Sequence, residues 1–506
     1  MRGPIVNQGC RGVGSDSRLP QIILGFALVS LMTAAAVFFG KLEPKYLVAL
    51  LAVPILAGWM AMGRSGRHLD FAVAVLALSI PFNLEIFLLY RPHVGGAPGI
   101  SISAGTLAII ALVGLLMYER LRTPAPRRLV VDRIIFPAML FFVVAGVLSL
   151  ANAAHPELVF FQLVRLLILV AAFLAVANLP SPRHINILLF FLALGVLIQS
   201  GLALVQYQTQ STLGLGLFGE TDVVKQDIGY VFTRATGTIG HPNVLAYFFQ
   251  ILIPIVFALA LQGPRLRHRV WYLLVLAGAL LGIFTTLSRA AWITLPVSLG
   301  LVFLLVFVRP PWSRLKAMGL LAMTFALVLV AIAAFPVVEK RFTHSDFQSA
   351  QSRMPLNQAA WSLIEQYPVT GVGLNNFAEV FKRYDTTGQS RLFKGYKQVV
   401  HNMYLLVWAE LGTIGFLAFL WMLLAVFLAI RAALRTADPH WRPVLVGIGA
   451  GLLAHMIHGL ADPGFVTTFN VALLVFILFG IVAAIRGGAG APPRSPPQPV
   501  GNGGSR

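Results

Sequence analysis

The 506-residue sequence contains one cysteine, Cys10. A lone thiol in a polar N-terminal stretch supplies neither an internal disulfide framework nor a thiolate metal cluster, so redox chemistry is not expected. Charge is scarce as well: Asp, Glu, Lys and Arg make up 11% of the chain, against 58% hydrophobic residues and a mean hydropathy of +0.82. A water-soluble core of this length does not need so much apolar surface, and the surrounding solvent is therefore lipid. The formal charge of +20 does not indicate a nucleic-acid partner, because the basic residues form no single patch and recur in short clusters between apolar runs.

Runs close to the roughly 20 residues that cross a bilayer begin near Gln21, Tyr46, Phe71, Ile100, Ile134, Leu158, Ile185, Val244, Val270, Ala290, Met318, Tyr404, Pro443 and Val466. The first is not followed by a small-residue cleavage site and reads as a retained span. The pattern predicts an all-α polytopic membrane protein of about 12–14 transmembrane helices. Arg64, Arg67, Arg120, Arg122, Arg127, Arg128, Arg133, Arg265, Arg267, Arg269, Arg309, Arg314, Lys316, Arg431, Arg435 and Arg442 fall on one side of such an arrangement. The opposite short connections hold only Lys41, Lys45, Arg91, Lys225, Arg234 and Arg289. The positive-inside rule then places both termini in the cytoplasm.

The expected organisation is a cytoplasmic N-terminal tail at 1–20, then transmembrane helices at 21–336 with a smaller outer loop at 209–242. A large outer loop containing short helices follows at 337–400, then C-terminal transmembrane helices at 401–486 and a structureless cytoplasmic tail at 487–506. Loops longer than turns are the first places to look for chemistry. No solenoid repeat is present, nor the paired interrupted helices of inverted-repeat transporters.

The large loop carries Glu339, Lys340, Arg341, Arg353, Lys382, Arg383, Arg391, Lys394 and Lys397 ahead of His401. Such a cationic surface suits an anionic group such as a diphosphate, although basic residues also simply solvate loops. Met354 to Gln366 reads as an amphipathic helix with Leu356, Ala360, Leu363 and Ile364 on one face, Arg353 at its start and the membrane interface as its place. It ends at Tyr367-Pro368, and Gly371-Val372-Gly373 marks a turn or a close approach. His401, Tyr404, Trp408, Gly412 and Gly415 fall within about 60° on a helical projection, a stripe whose glycines would admit a neighbouring span.

Ser288-Arg289 lies between two apolar runs with almost no loop, which pins the guanidinium at the outer boundary of the bilayer. Arg165, inside an apolar run, must face the bundle interior or snorkel. Arg234-Ala-Thr-Gly-Thr-Ile-Gly-His241-Pro-Asn243 brings an Arg and an amide to the mouth of the next span, though turn chemistry alone also explains it. His455, His458 and Asp462 share a helix at spacings open to metal ligation, but without the His-Glu-x-x-His order. There is no Asp-x-Asp pair, and Glu220-Thr-Asp222 is only a loose relative of one. A diphosphate leaving without a metal needs Arg and Lys.

His401-Asn402, followed after nine residues by Gly412-Thr-Ile-Gly415, resembles the His-Asn signature of the O-antigen ligases. Arg234 to Asn243, Ser288-Arg289-Ala290-Ala291-Trp292 and Pro368 to Phe377 resemble other parts of the wider ligase and polymerase superfamily. The resemblance implies a GT-C-like membrane glycosyltransferase that moves a glycan from undecaprenyl diphosphate to an acceptor, lipid A-core oligosaccharide for a ligase or another lipid-linked glycan for a polymerase. It implies a bacterial inner-membrane location, a site facing the periplasm, and no metal or cofactor. On this reading His401, Arg289 and Arg353 are the catalytic candidates, and Arg234, Asn243, Asn402 and Lys397 the substrate-binding ones. Rival readings are a polymerase with the same donor chemistry and, more distantly, a small-anion or sugar transporter.

Overall fold

The computed structural model describes residues 67–124, 128–222, 224–227, 231–262, 265–308, 335–340, 343, 347–385 and 398–489. Lys397 and the apolar runs beginning near Gln21, Tyr46 and Met318 lie outside these residues. The chain divides into units 1–71 and 72–506. Of the first, only 67–71 are described, and they include the start of helix α1 (His68–Ser79).

The second unit is built from helices. They are α2 (Ala104–Arg122), α3 (Ile135–Leu148), α4 (Pro156–Ala177), α5 (Pro182–Thr209), α6 (Pro242–Gln262), α7 (Leu266–Thr285) and α8 (Arg289–Val302). After them come α9 (Phe347–Gln366), α10 (Phe377–Val380), α11 (Met403–Thr436), α12 (Arg442–His458), α13 (Gly464–Thr467) and α14 (Phe469–Ala484). Two antiparallel hairpins interrupt them, β1 (Glu85–Leu88) with β2 (Ile100–Ser103) and β3 (Val224–Asp227) with β4 (Val231–Arg234). Among the described residues nine helices are long and apolar enough to cross a membrane, so the chain is an all-α polytopic membrane protein. Local sequence sets their starts. Ser103 caps α2, while Ser181 caps α5 with Pro182 in its first turn, where the missing proline N–H costs nothing.

Helices α6 and α14 are apolar all round and buried over 89% and 94% of their spanning windows, which makes them the centre of the bundle. Helix α12 crosses α6 at close range because Gly447 and Gly451 present no side chain. A Cβ on Gly451 would stand 2.3 Å from the Ile251 carbonyl oxygen.

Several connections expected on the outer side are hydrogen-bonded to one another. Asn83 N–H donates to Thr238 O (3.2 Å), His155 N–H to Asn376 Oδ1 (2.7 Å), and Asn375 Nδ2 to Ala97 O (2.9 Å). Ala235 N–H donates to Thr285 O (3.1 Å) and Met403 N–H to Gly459 O (2.7 Å). Buried irregular backbone must find partners for its polar groups, and here the loops supply one another.

Two expectations change here. The stripe drawn through His401, Tyr404, Trp408, Gly412 and Gly415 assumes one regular helix, but His401 precedes the Asn402 cap and Gly412 breaks the helix at φ 62°, ψ −170°. That conformation is essentially confined to glycine. The opening admits not a span but the 368–373 segment. Val372 N–H and Gly373 N–H donate to the Ala409 and Glu410 carbonyls (both 3.0 Å), and Thr413 N–H donates to Pro368 O (2.8 Å). The Glu410 carboxylate completes the clasp by accepting from Asn375 N–H (2.8 Å) and Phe377 N–H (3.1 Å). A Cβ on Gly412 would sit 2.3 Å from the Val369 carbonyl. Gly412→Ala is thus expected to cost on the order of 3 kcal/mol through strain and overlap. Thermal unfolding in detergent measures this, with Gly300→Ala as the control, because nothing lies within 4 Å of a Cβ there.

The amphipathic helix is the second change. It begins at Phe347, so Arg353 lies within it. Its apolar face does not lie on lipid: Leu356, Ala359, Ala360 and Leu363 pack with Phe377, Val400, Leu406 and Ala409 in a protein core.

Candidate active site

The site is assembled from four connections. The first is Arg234–Asn243, whose turns are written by Gly237 (φ 56°) and Gly240 (φ 90°). Two glutamines of α5, seven residues apart and thus on one face, serve as a template for it. Gln206 Oε1 accepts from Thr236 N–H (3.1 Å) and Gly237 N–H (2.9 Å), and Gln199 Oε1 from Thr238 N–H (3.1 Å). Glu220 holds Gln206 Nε2 (2.6 Å) and accepts from the N–H groups of Leu213 (2.8 Å) and Leu215 (2.6 Å). Its carboxylate is thereby engaged in fixing the loop.

This frame aims Arg234. Its Nε donates to Thr286 O (2.9 Å) and its Nη2 to Asn243 Oδ1 (2.6 Å). Thr286 belongs to the second connection, the tight α7–α8 turn in which Leu287 adopts φ 49°. Arg289 opens α8 immediately beyond that turn and is half-buried, so Arg234 and Arg289 are placed by the same short stretch of backbone.

Asp462, in the third connection, is the centre of the arrangement. Asn243 Nδ2 donates to its Oδ2 (2.9 Å), Gly464 N–H to its Oδ1 (3.0 Å), and the Tyr247 hydroxyl to its carbonyl oxygen (2.8 Å). His401, in the fourth connection, is tied to the same loop through Met403 N–H and Gly459 O. Burial pushes the His401 imidazole below its ordinary pKa; the Asp462 carboxylate opposes this and Arg353 reinforces it. Asp462, Arg234 and His401 all act on His241 as well. His401 Nδ1 is sealed from solvent and has no hydrogen-bond partner.

Arg234 and Asn243 are therefore joined directly, and His401 lies in the fields of both Asp462 and Arg353. Asn402 uses its side-chain oxygen to cap α11, accepting from Tyr404 N–H (2.9 Å) and Leu405 N–H (3.1 Å), which fixes the backbone next to His401. Asp462 is absent from the sequence-based candidates for acid–base or clamp roles; it drew attention only through its spacing to His455 and His458. Those three act separately. His458 Nδ1 pairs with Gln250 Oε1 (2.7 Å), His455 packs against Tyr247, and no group of three His, Cys, Asp or Glu among the described residues is placed to hold a metal.

A histidine acted on by a carboxylate and a guanidinium suits proton transfer next to an anionic leaving group. The family comparison agrees. Residues 272–420 match a family model described as O-antigen ligase. The O-antigen ligase match covers less than half of the chain and contains Arg289, Arg353 and His401, while Arg234, Asn243 and Asp462 lie on either side of it. No curated protein matches the chain.

Proposed function

We propose that this membrane enzyme of the O-antigen ligase and polymerase type transfers a glycan from undecaprenyl diphosphate to a hydroxyl of lipid A-core oligosaccharide on the periplasmic face of the bacterial inner membrane. The observation that carries the reading is that Asp462, bonded to the Arg234–Asn243 pair, acts together with Arg353 on His401, within and around the O-antigen ligase match.

In this mechanism the acceptor oxygen attacks the anomeric carbon, and its proton passes to His401. The carbon–oxygen bond to the diphosphate breaks with its electron pair going to the phosphate oxygen, so the anomeric configuration inverts. Arg289 and Arg353 bind the diphosphate and neutralise the charge that grows on it. Arg234 and Asn243, already paired, form the floor of the sugar site, and Asn402 holds His401 at the helix mouth. Lys397 is a further candidate for pairing with the donor's negative charge. The same donor chemistry serves a polymerase, and the acceptor decides between the two.

The test is transfer by purified protein in lipid, with donor and both acceptors supplied separately. Transfer to neither would reject the reading. A pH profile tests the base. Because His401 is held below the ordinary imidazole pKa of about 6.5, its proton-accepting form dominates at neutral pH. The acid limb of kcat/KM should then have its midpoint below that value. Asp462→Asn removes the charge that favours the protonated ring, so the limb should move to still lower pH. An unmoved limb, or one moved upward, would separate Asp462 from His401.

A further inference from the structure

Arg165 is charged, 5% exposed and inside a membrane-spanning helix. Such a residue is expensive in lipid and needs a reason to be there. It is the tenth residue of α4, about 14 Å down the axis from Pro156 at 1.5 Å per residue. One turn above it on the same face is Gln162, also buried.

Their hydrogen bonds go to connecting segments. Arg165 Nη1 donates to Thr467 O (3.2 Å) and Gln162 Nε2 to Val466 O (3.4 Å). Gln162 Oε1 accepts from Ala97 N–H (3.0 Å) on the β1–β2 connection. The Arg165 guanidinium faces the Phe469 ring at 5.8 Å and lies in the field of Glu85. Val466 and Thr467, in the 459–468 connection between α12 and α14, thus rest on side chains from the second and third turns of α4. Irregular backbone at membrane depth survives only when buried in protein with its polar groups matched.

That segment bears Asp462. It is gripped near its start by Met403 N–H on Gly459 O, in the middle by Asn243 and Tyr247, and at its end by Gln162 and Arg165. The first two grips come from the elements carrying His401 and Arg234, which belong to the site itself. The third comes from α4, which contributes nothing else to it. We infer that Arg165, assisted by Gln162, is a positioning residue that locks the 459–468 segment in the place from which the Asp462 carboxylate acts on His401. Arg165 touches no substrate and acts through Thr467. A guanidinium suits the task because its fork can hold the Thr467 carbonyl while its plane rests on Phe469.

This inference rests on the proposed function for its catalytic consequence but not for its structural content, and the experiment separates the two. Full-length protein in nanodiscs, wild type and Arg165→Met, is labelled with diethyl pyrocarbonate across a pH series, and modification of His401 is followed by peptide mass spectrometry. The groups acting on His401 are Asp462, Arg353 and His241. Release of the segment withdraws the carboxylate that favours the protonated ring, so the His401 midpoint should fall. Asp462→Asn should produce the same fall, and the double variant no further one. In the transfer assay, Arg165→Met should lower kcat by about 10–100-fold with KM little changed, the pattern of a misplaced group. Arg165→Lys, which can still donate to Thr467 O, should recover most of it.

A His401 midpoint unchanged in folded Arg165→Met would overturn the inference, as would additive shifts in the double variant. Should Arg165→Met fail to fold, Arg165→Lys and Gln162→Met carry the same readout, and unshifted midpoints in both overturn it. If the wild-type protein transfers no glycan, the labelling result stands alone and still decides the positioning role.

Discussion

His401→Ala is expected to lower glycan transfer by about 10²–10⁴-fold, the range over which a positioned general base acts, while insertion and melting temperature remain near those of the wild type. The separation of the two effects follows from the geometry. His401 precedes the helix cap, the cap is made by Asn402, and His401 Nδ1 bonds to no protein group, so truncating the ring breaks no bond of that nitrogen. A variant that is folded and turns over at the wild-type rate would remove His401 from the mechanism.

The second large effect is expected at the cations. Arg289→Ala and Arg353→Ala should each reduce kcat by about 10²–10³-fold, as loss of a preorganised group facing developing charge does. Lysine at either position keeps the charge but not the two-pronged geometry and should fall between. Single-turnover measurements with a lipid-diphosphate donor report the chemical step, and unchanged kinetics in both alanine variants would reject the charge clamp. Arg234→Ala is a poorer probe, because its guanidinium also ties Thr286 to Asn243 and its loss would disturb the loop that carries it.

Much of this was legible from the order of residues. Apolar runs of bilayer length gave the class of fold. Gly371-Val372-Gly373 could be read as a close approach because glycine runs after a proline rarely have another use. What it approaches could not be read, since Gly412 sits in an apolar stretch where a glycine normally marks helix packing and only the backbone reveals the break. Gln199 and Gln206 were silent for a similar reason: an amide inside an apolar run shows a buried polar role, not its partner. Asp462 was hidden most deeply. Its meaning depends on how its connecting segment is held, and that segment's end is bonded by Arg165 and Gln162, some 300 positions away in the chain.

The break at Gly412 also sets where this protein can be cut and joined to a relative. Residues 403–411 are continuous with the rest of α11 in sequence, yet the Ala409 and Glu410 carbonyls and the Glu410 side chain are committed to 372–377. Mechanically, that stub belongs with the loop it holds. A chimera that exchanged the loop up to the start of α11 would pair one parent's loop with the other parent's stub across these bonds. Moving the junction to Gly412 transfers the loop and its socket together, so a change of acceptor preference could be followed without dismantling the architecture that presents it.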